Sequence, residues 1–226
     1  MELRDMMDPS MSASRVWDVL AAAQASYLSA VSPHYDEVFW EVAGRVEAEG
    51  CLGKAGIGAL VVWKRLSAQT PWVSKLMSLP DADVRSVTAR AVRAVRDTGV
   101  SRAEAAQAGR GIVWELPGFH TSDALASAVL TAAAPQRMAV YDRRVQQALD
   151  ALGFALTRAS GRYGRYIDLL DTLLSHGGQQ AEGWIARDLD TALYWVGGNG
   201  HQLPASTCPS LKAPKIAARA NGTREP

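Results

Sequence analysis

The chain has 226 residues, 48% of them hydrophobic, which is enough for a packed core without disulfides or a structural metal. No stretch reaches the roughly 18 uninterrupted apolar residues of a membrane span, and residues 1–10 lack the order of a signal peptide, so we expect a cytoplasmic protein without membrane contacts. The two cysteines, Cys51 and Cys208, are too few for a thiolate metal cage or an iron–sulfur cluster, and we predict neither a metal nor a cofactor.

The formal net charge of +1 conceals an uneven distribution of charge along the chain. Residues 1–50 carry nine acidic and three basic side chains, a net charge of −6, whereas residues 51–226 carry 21 basic and 14 acidic ones, a net charge of +7. A basic body attracts phosphate groups, although a solvated surface without a partner is an equally good interpretation of the charge alone.

Helical spacing of the apolar residues predicts an all-α protein. In chain order the predicted helices lie at about 14–31, 34–49, 55–68, 71–77, 81–96, 101–113, 123–134, 139–152, 162–175 and 183–196. We divide the chain into acidic N-terminal helices (1–50), a main helical domain (51–202) and a basic, proline-interrupted tail (203–226) that we expect to be disordered. The N-terminal helices are expected to pack on the basic body as a second lobe, with a cleft between the lobes.

One sharp turn interrupts the helical pattern in the stretch "WELPGFHTSDALASAVLTAAAP", residues 114–135. Ser101 with Glu104 forms a capping-box pattern that opens the preceding helix, and Pro117-Gly118 makes the turn into the next one. Such a turn and the following helix N-terminus expose backbone N–H groups that can bind one phosphate. The sequence therefore predicts a helix-hairpin-helix element at about 101–134.

Two further stretches extend this pattern into a family resemblance. "LSAQTPWVSKLM", residues 66–77, resembles the segment that precedes the hairpin in the endonuclease III branch of the helix-hairpin-helix DNA glycosylases. "PQRMAVYDRRVQQAL", residues 135–149, resembles the segment after the hairpin that leads to the catalytic aspartate of that superfamily. The three motifs occur in the family's order and at about its spacing. The resemblance covers about residues 55–152 and implies an all-α, glycosylase-like helical bundle.

The resemblance implies roles for individual residues. Asp142 stands at the position of the catalytic aspartate, Gln69 at that of the glutamine which fills the gap left by a flipped base, and Gly118 at that of the first hairpin glycine. The second hairpin glycine is replaced by His120, and the family's four-cysteine iron–sulfur cluster is absent. The lysine nucleophile of the strand-cleaving members falls at Ser122, so we expect water to act as the nucleophile.

The chemistry of base excision gives these residue types a physical reason. A fixed carboxylate stabilises the oxocarbenium-like sugar, and Asp142 can do this while it also caps a helix. Aromatic rings offer flat faces for an extruded base. We predict a base pocket of Tyr141, Trp63 and Trp72, with core packing as the alternative role of Trp63. The predicted DNA contacts are Gln69, Gly118, His120, Thr121, Ser122, Arg137, Arg143, Arg144, Lys64 and Arg65.

Together these observations predict a monomeric, nucleoid-associated DNA N-glycosylase that binds duplex DNA and releases a damaged or modified base by hydrolysis. Two other functions are compatible with the sequence. A DNA-binding relative without catalysis would leave all bases attached, and a helical protein-interaction module would not bind DNA at all.

Overall fold

A computed structural model describes residues 13–198 of the chain, and in this range it is all-α, as predicted. The described residues form ten α-helices and a short 3-10 helix (Gly178–Ala181), and they contain no β-strand. The α-helices are α1 (Ala13–Ala30), α2 (Glu37–Glu49), α3 (Lys54–Trp63), α4 (Pro71–Ser78), α5 (Asp81–Arg96), α6 (Arg102–Val113), α7 (Asp123–Ala133), α8 (Arg143–Ala151), α9 (Arg162–His176) and α10 (Ala186–Gly198). None of the helices in residues 13–198 is long and apolar enough to cross a membrane. The predicted tail, residues 203–226, lies outside the described residues.

Helix α7 forms the centre of the core. All its residues from Leu125 to Ala133 are buried, since its small side chains allow α2, α3, α5 and α6 to pack around it. Buried side chains of the acidic N-terminal helices, such as Trp17 on α1 and Phe39 on α2, belong to the same continuous core. Helix α1 packs against α10, so the first and last described helices are neighbours.

Several helix boundaries differ from the sequence expectation, and two of these differences shape the site. Helix α3 ends at Trp63 rather than near residue 68, because Arg65 adopts a left-handed conformation with φ 52°. The N–H of Leu66 then donates to the carbonyl of Val61, which closes a Schellman-type turn. Helix α8 begins at Arg143 rather than near residue 139, because Asp142 is extended and residues 139–141 form no regular secondary structure.

The predicted hairpin region consists of α6, a turn and α7. Ser101 and Glu104 form the expected capping box at the start of α6, and Ser122 caps α7 by accepting a hydrogen bond from the N–H of Leu125. Gly118 has φ +92°, and a Cβ at this position would lie 2.4 Å from the indole ring of Trp72. The glycine thus allows α4, which carries Trp72, to pack directly on the turn.

Replacing Gly118 by alanine is expected to destabilise the fold by about 2–5 kcal/mol, because both a positive φ and a clash with Trp72 oppose a Cβ there. Gly183→Ala is the matched control, since Gly183 has φ +78° and open space around its Cα. We expect a loss of only about 1–2 kcal/mol for the control. Urea unfolding of both variants measures the difference, and equal losses would show that Trp72 does not hold the turn.

Candidate functional site

Asp142 is held at the N-terminus of α8 by an extended segment that side chains of three helices fix in place. The N–H of Val140 donates to Asp190 on α10 (2.8 Å), and the N–H of Tyr141 donates to Ser127 on α7 (2.9 Å). The hydroxyl of Tyr166 on α9 donates to the carbonyl of Val140 (3.1 Å). Every one of these groups is buried, so the position of Asp142 is determined by the core.

The Asp142 carboxylate has a separate partner for each oxygen. Oδ1 accepts hydrogen bonds from the N–H groups of Arg144 (2.9 Å) and Val145 (3.0 Å), which makes Asp142 the N-cap of α8. Oδ2 accepts a hydrogen bond from Nζ of Lys64 at 2.7 Å. Burial alone would raise the pKa of Asp142, but the Lys64 ammonium and the two N–H donors outweigh it and hold that pKa below its ordinary value. The carboxylate is therefore charged at neutral pH.

Lys64 reaches this carboxylate because of the turn that ends α3. It follows Trp63 directly, and the left-handed Arg65 reverses the chain after it. Arg65 is the only non-glycine residue with positive φ in residues 13–198. Its guanidinium lies over the ring of Tyr35, 5.3 Å from the centroid, and donates to the Tyr35 hydroxyl. A strained conformation held by specific contacts is common at functional sites.

A cavity of about 400 Å³ opens beside the Lys64–Asp142 pair. Its walls come from α1, the loop between α1 and α2, the end of α3, the N-terminus of α8 and helix α10. The lining residues are Tyr27, Tyr35, Trp63, Lys64, Arg65, Leu66, Ala124, Val140, Asp142, Arg143, Arg144, Val145, Arg187, Asp190, Thr191 and Tyr194. Five of these side chains are basic and two are acidic, so the cavity and its rim carry an excess of positive charge.

The floor of the cavity contains a buried ion cluster. Arg187 is paired with Asp190 and with Asp36, and its guanidinium lies 5.3 Å from the ring centroid of Phe39 and 5.2 Å from that of Trp63. These contacts connect α10 with α3 and with the start of α2.

The structure brings together six of the residues that the sequence predicts for the site. Asp142, Lys64, Arg65, Arg143, Arg144 and Trp63 all line the cavity. Arg143 and Arg144 are exposed at its rim, whereas Trp63 is buried and donates from Nε1 to Asp36. Trp63 therefore also has the core role that the sequence left open.

A second group of predicted residues lies on the turn and on the loop before α4. Gln69 is exposed on that loop, which leads into α4, the helix whose Trp72 packs on Gly118 of the hairpin turn. Thr121 and His120 are exposed on the turn, where the His120 ring lies 4.9 Å from that of Trp114. Ala124, two residues after Ser122, lines the cavity, so the hairpin reaches its rim. Their contacts with DNA remain predictions.

Three predicted residues are placed elsewhere. Tyr141 and Trp72 are not among the residues that line this cavity within the described chain, and the Tyr141 ring packs 5.1 Å from that of Tyr166 instead. Arg137 donates hydrogen bonds to the carbonyls of Val95 and Asp97, where it satisfies the C-terminus of α5. These contacts give all three residues a packing or capping role.

Sequence reasoning did not select the aromatic and charged residues that complete the cavity. Tyr35 and Tyr194 stand outside the matching motifs, and no local signal marks them. Arg187 and Asp190 are charged residues on an apolar helix face, which indicates a buried ion pair. This pattern does not show that the pair lines a cavity. Comparison with protein-family models, with curated proteins and with solved structures found no match for this chain.

Proposed function

We propose that this protein is a DNA N-glycosylase of the helix-hairpin-helix type, which extrudes a damaged or modified base into the cavity and hydrolyses its glycosidic bond. The observation that carries the proposal is the charged Asp142 carboxylate, rigidly held at a helix N-terminus, at the edge of a cavity with a cationic rim. Capping α8 does not require that Asp142 be buried or paired with Lys64, since an exposed aspartate would cap the helix equally well.

The catalytic role follows from electrostatics. Cleavage of the glycosidic bond develops positive charge on the sugar, and a carboxylate whose position is fixed in advance stabilises that charge without reorganisation. Oδ1 is occupied by two N–H groups, whereas Oδ2 is shared with one side chain, Lys64. Oδ2 is therefore the oxygen that faces the sugar and the attacking water.

DNA recognition is assigned to the rim of the cavity. Arg65, Arg143 and Arg144 line the cavity, are exposed and suit backbone phosphates. Gln69 and the hairpin are assigned to the same interface by the family resemblance. Tyr35 and Tyr194 also line the cavity, and the guanidinium groups of Arg65 and Arg144 lie over their rings. Binding of duplex DNA through phosphates is independent of sequence, and it fits a protein that searches the nucleoid for a rare base.

The salt dependence of DNA binding tests the rim directly. Changing Arg143 and Arg144 together to alanine is expected to reduce the slope of log affinity against log salt by about 1.8, since each phosphate contact contributes about 0.9. Arg93→Ala is the control, because Arg93 is an exposed arginine of α5 that does not line the cavity. Fluorescence titrations at several salt concentrations provide the slopes. An equal slope for the double variant and wild type would remove these arginines from the interface.

A base-release screen tests the activity. Duplex oligonucleotides that each carry one modified base are incubated with excess protein and analysed with and without alkali. Wild type is expected to leave an abasic site on an intact strand, and borohydride is expected to trap no covalent complex, because Ser122 offers no amine and Nζ of Lys64 is hydrogen-bonded to Asp142. Strand cleavage without alkali, or a trapped complex, would contradict hydrolysis by water.

A further inference from the structure

Lys64 lies beside Asp142 in the cavity, but the proposed role of Asp142 in cleaving the glycosidic bond gives Lys64 no function of its own. Its side chain is 12% exposed, and in residues 13–198 its only hydrogen-bond acceptor is Asp142. Its Nζ lies 5.3 Å from the Tyr194 ring and 5.6 Å from the Trp63 ring. An ammonium has three N–H donors, so donors remain for a ligand in the cavity.

The position of Lys64 relative to Asp142 determines which part of a substrate it can contact. If Oδ2 of Asp142 faces the sugar carbon, Nζ at 2.7 Å from that oxygen lies next to the atoms bonded to the same carbon. In a nucleoside one of those atoms is the glycosidic nitrogen. In most bases a ring carbon bonded to that nitrogen carries a hydrogen-bond acceptor, either the carbonyl oxygen of a pyrimidine or a ring nitrogen of a purine.

We infer that Lys64 donates a proton to the departing base, and that the substrates are neutral bases with an acceptor beside the glycosidic nitrogen. Cationic alkylated bases are excluded from this class. The inference rests on the proposed glycosylase function and names the kind of base on which it acts.

The step balances with water as the only co-reactant. The bond between C1′ and the base nitrogen breaks, its electron pair stays on the base, and the acceptor takes a proton from Nζ of Lys64. A water oxygen bonds to C1′ and gives a proton to Asp142, which returns it to Lys64 across the 2.7 Å hydrogen bond. The products are a neutral base and an abasic sugar, and both side chains regain their original charges.

The same group disfavours cationic bases. A purine methylated at a ring nitrogen already carries a positive charge, leaves as a neutral base and needs no proton. The Lys64 ammonium, whose side chain is only 12% exposed, then contributes nothing to departure and repels the charged base. Lys64 is therefore expected to select neutral leaving groups.

Base release by Lys64→Met and Lys64→Arg variants tests the inference on two kinds of duplex. One carries a neutral base that wild type releases, and the other carries 7-methylguanine, which is cationic. Lys64→Met is expected to release the neutral base about 100-fold more slowly or worse, as general-acid catalysis is lost, and to release 7-methylguanine no more slowly than wild type. Lys64→Arg keeps the positive charge but not a transferable proton, so neutral-base release should stay slow.

Affinity for a duplex with a tetrahydrofuran abasic analogue is the control, because this ligand has no base for Lys64 to contact. Lys64→Arg keeps a positive charge beside Asp142, so its affinity for this duplex should stay close to that of wild type if the variant folds. Three results would overturn the inference: undiminished release of the neutral base by Lys64→Met, an equal loss for both duplexes, or preferential release of 7-methylguanine by wild type. All three leave the glycosylase proposal standing, whereas no base release of any kind by wild type would reject both.

Discussion

Replacing Asp142 by asparagine is expected to slow base release by about 100- to 1000-fold or more, which is the scale on which a preorganised electrostatic group acts on a transition state. Asparagine caps helices about as well as aspartate, so the N–H groups of Arg144 and Val145 keep an acceptor and α8 should remain in place. Duplex affinity should be maintained, because the carboxylate repels phosphate. Single-turnover kinetics measure the rate of base release, and urea unfolding shows whether the variant keeps the stability of wild type.

Asp150→Asn provides the matched control at the opposite end of the same helix. Asp150 is exposed and its carboxylate accepts a hydrogen bond only from Gln146 in the described chain, so its change should leave base release within twofold of wild type. Undiminished base release by Asp142→Asn would exclude the mechanism.

Gly197→Ala is expected to have the largest effect on the fold at the site. Helix α10 crosses the N-terminus of α8 so closely that a Cβ on Gly197 would lie 1.8 Å from the carbonyl oxygen of Arg144. The clash is with a backbone atom, which cannot rotate away as a side chain can, so α10 has to move away from α8. We expect a loss of about 3 kcal/mol or more in unfolding free energy, together with weaker base release, because α10 carries part of the cavity wall.

The neighbouring glycine is the control for this prediction. A Cβ on Gly198 would approach only the flexible guanidinium of Arg144, at 2.9 Å, so Gly198→Ala should change the free energy of unfolding by less than about 1 kcal/mol. Equal stability of the two variants in urea would mean that α10 does not depend on close contact with α8.

The sequence predicts the local features of this protein well because their causes are local. The capping box of Ser101 and Glu104 involves residues three positions apart. The apolar face of a helix likewise repeats every three or four residues, so it can be recognised within a short stretch of sequence. Asp142 could be identified as a cap for the same reason, since it stands directly before "RRV".

The features that depend on distant parts of the chain could not be predicted. Lys64 and Asp142 are separated by 78 positions, and nothing in either segment shows that their side chains meet. The contact of Trp72 with Gly118 and the close approach of Gly197 to Arg144 are also tertiary. The sequence predicts Gly118 as a hairpin glycine and DNA contact, but not that Trp72 packs on it. The apolar run predicts a longer α3, but the left-handed Arg65 ends the helix at Trp63. The resulting turn places Lys64 in the site.

One binding experiment tests the role of Asp142 without knowing which base is removed. Two duplexes are compared, one with a pyrrolidine abasic analogue whose ring nitrogen is positively charged, and one with the neutral tetrahydrofuran analogue. If Asp142 stabilises a sugar cation, wild type should bind the charged analogue about 100-fold more tightly, as expected for a transition-state mimic, and Asp142→Asn should lose this preference. Equal affinity of wild type for the two duplexes, or a preference that survives in Asp142→Asn, would contradict the account.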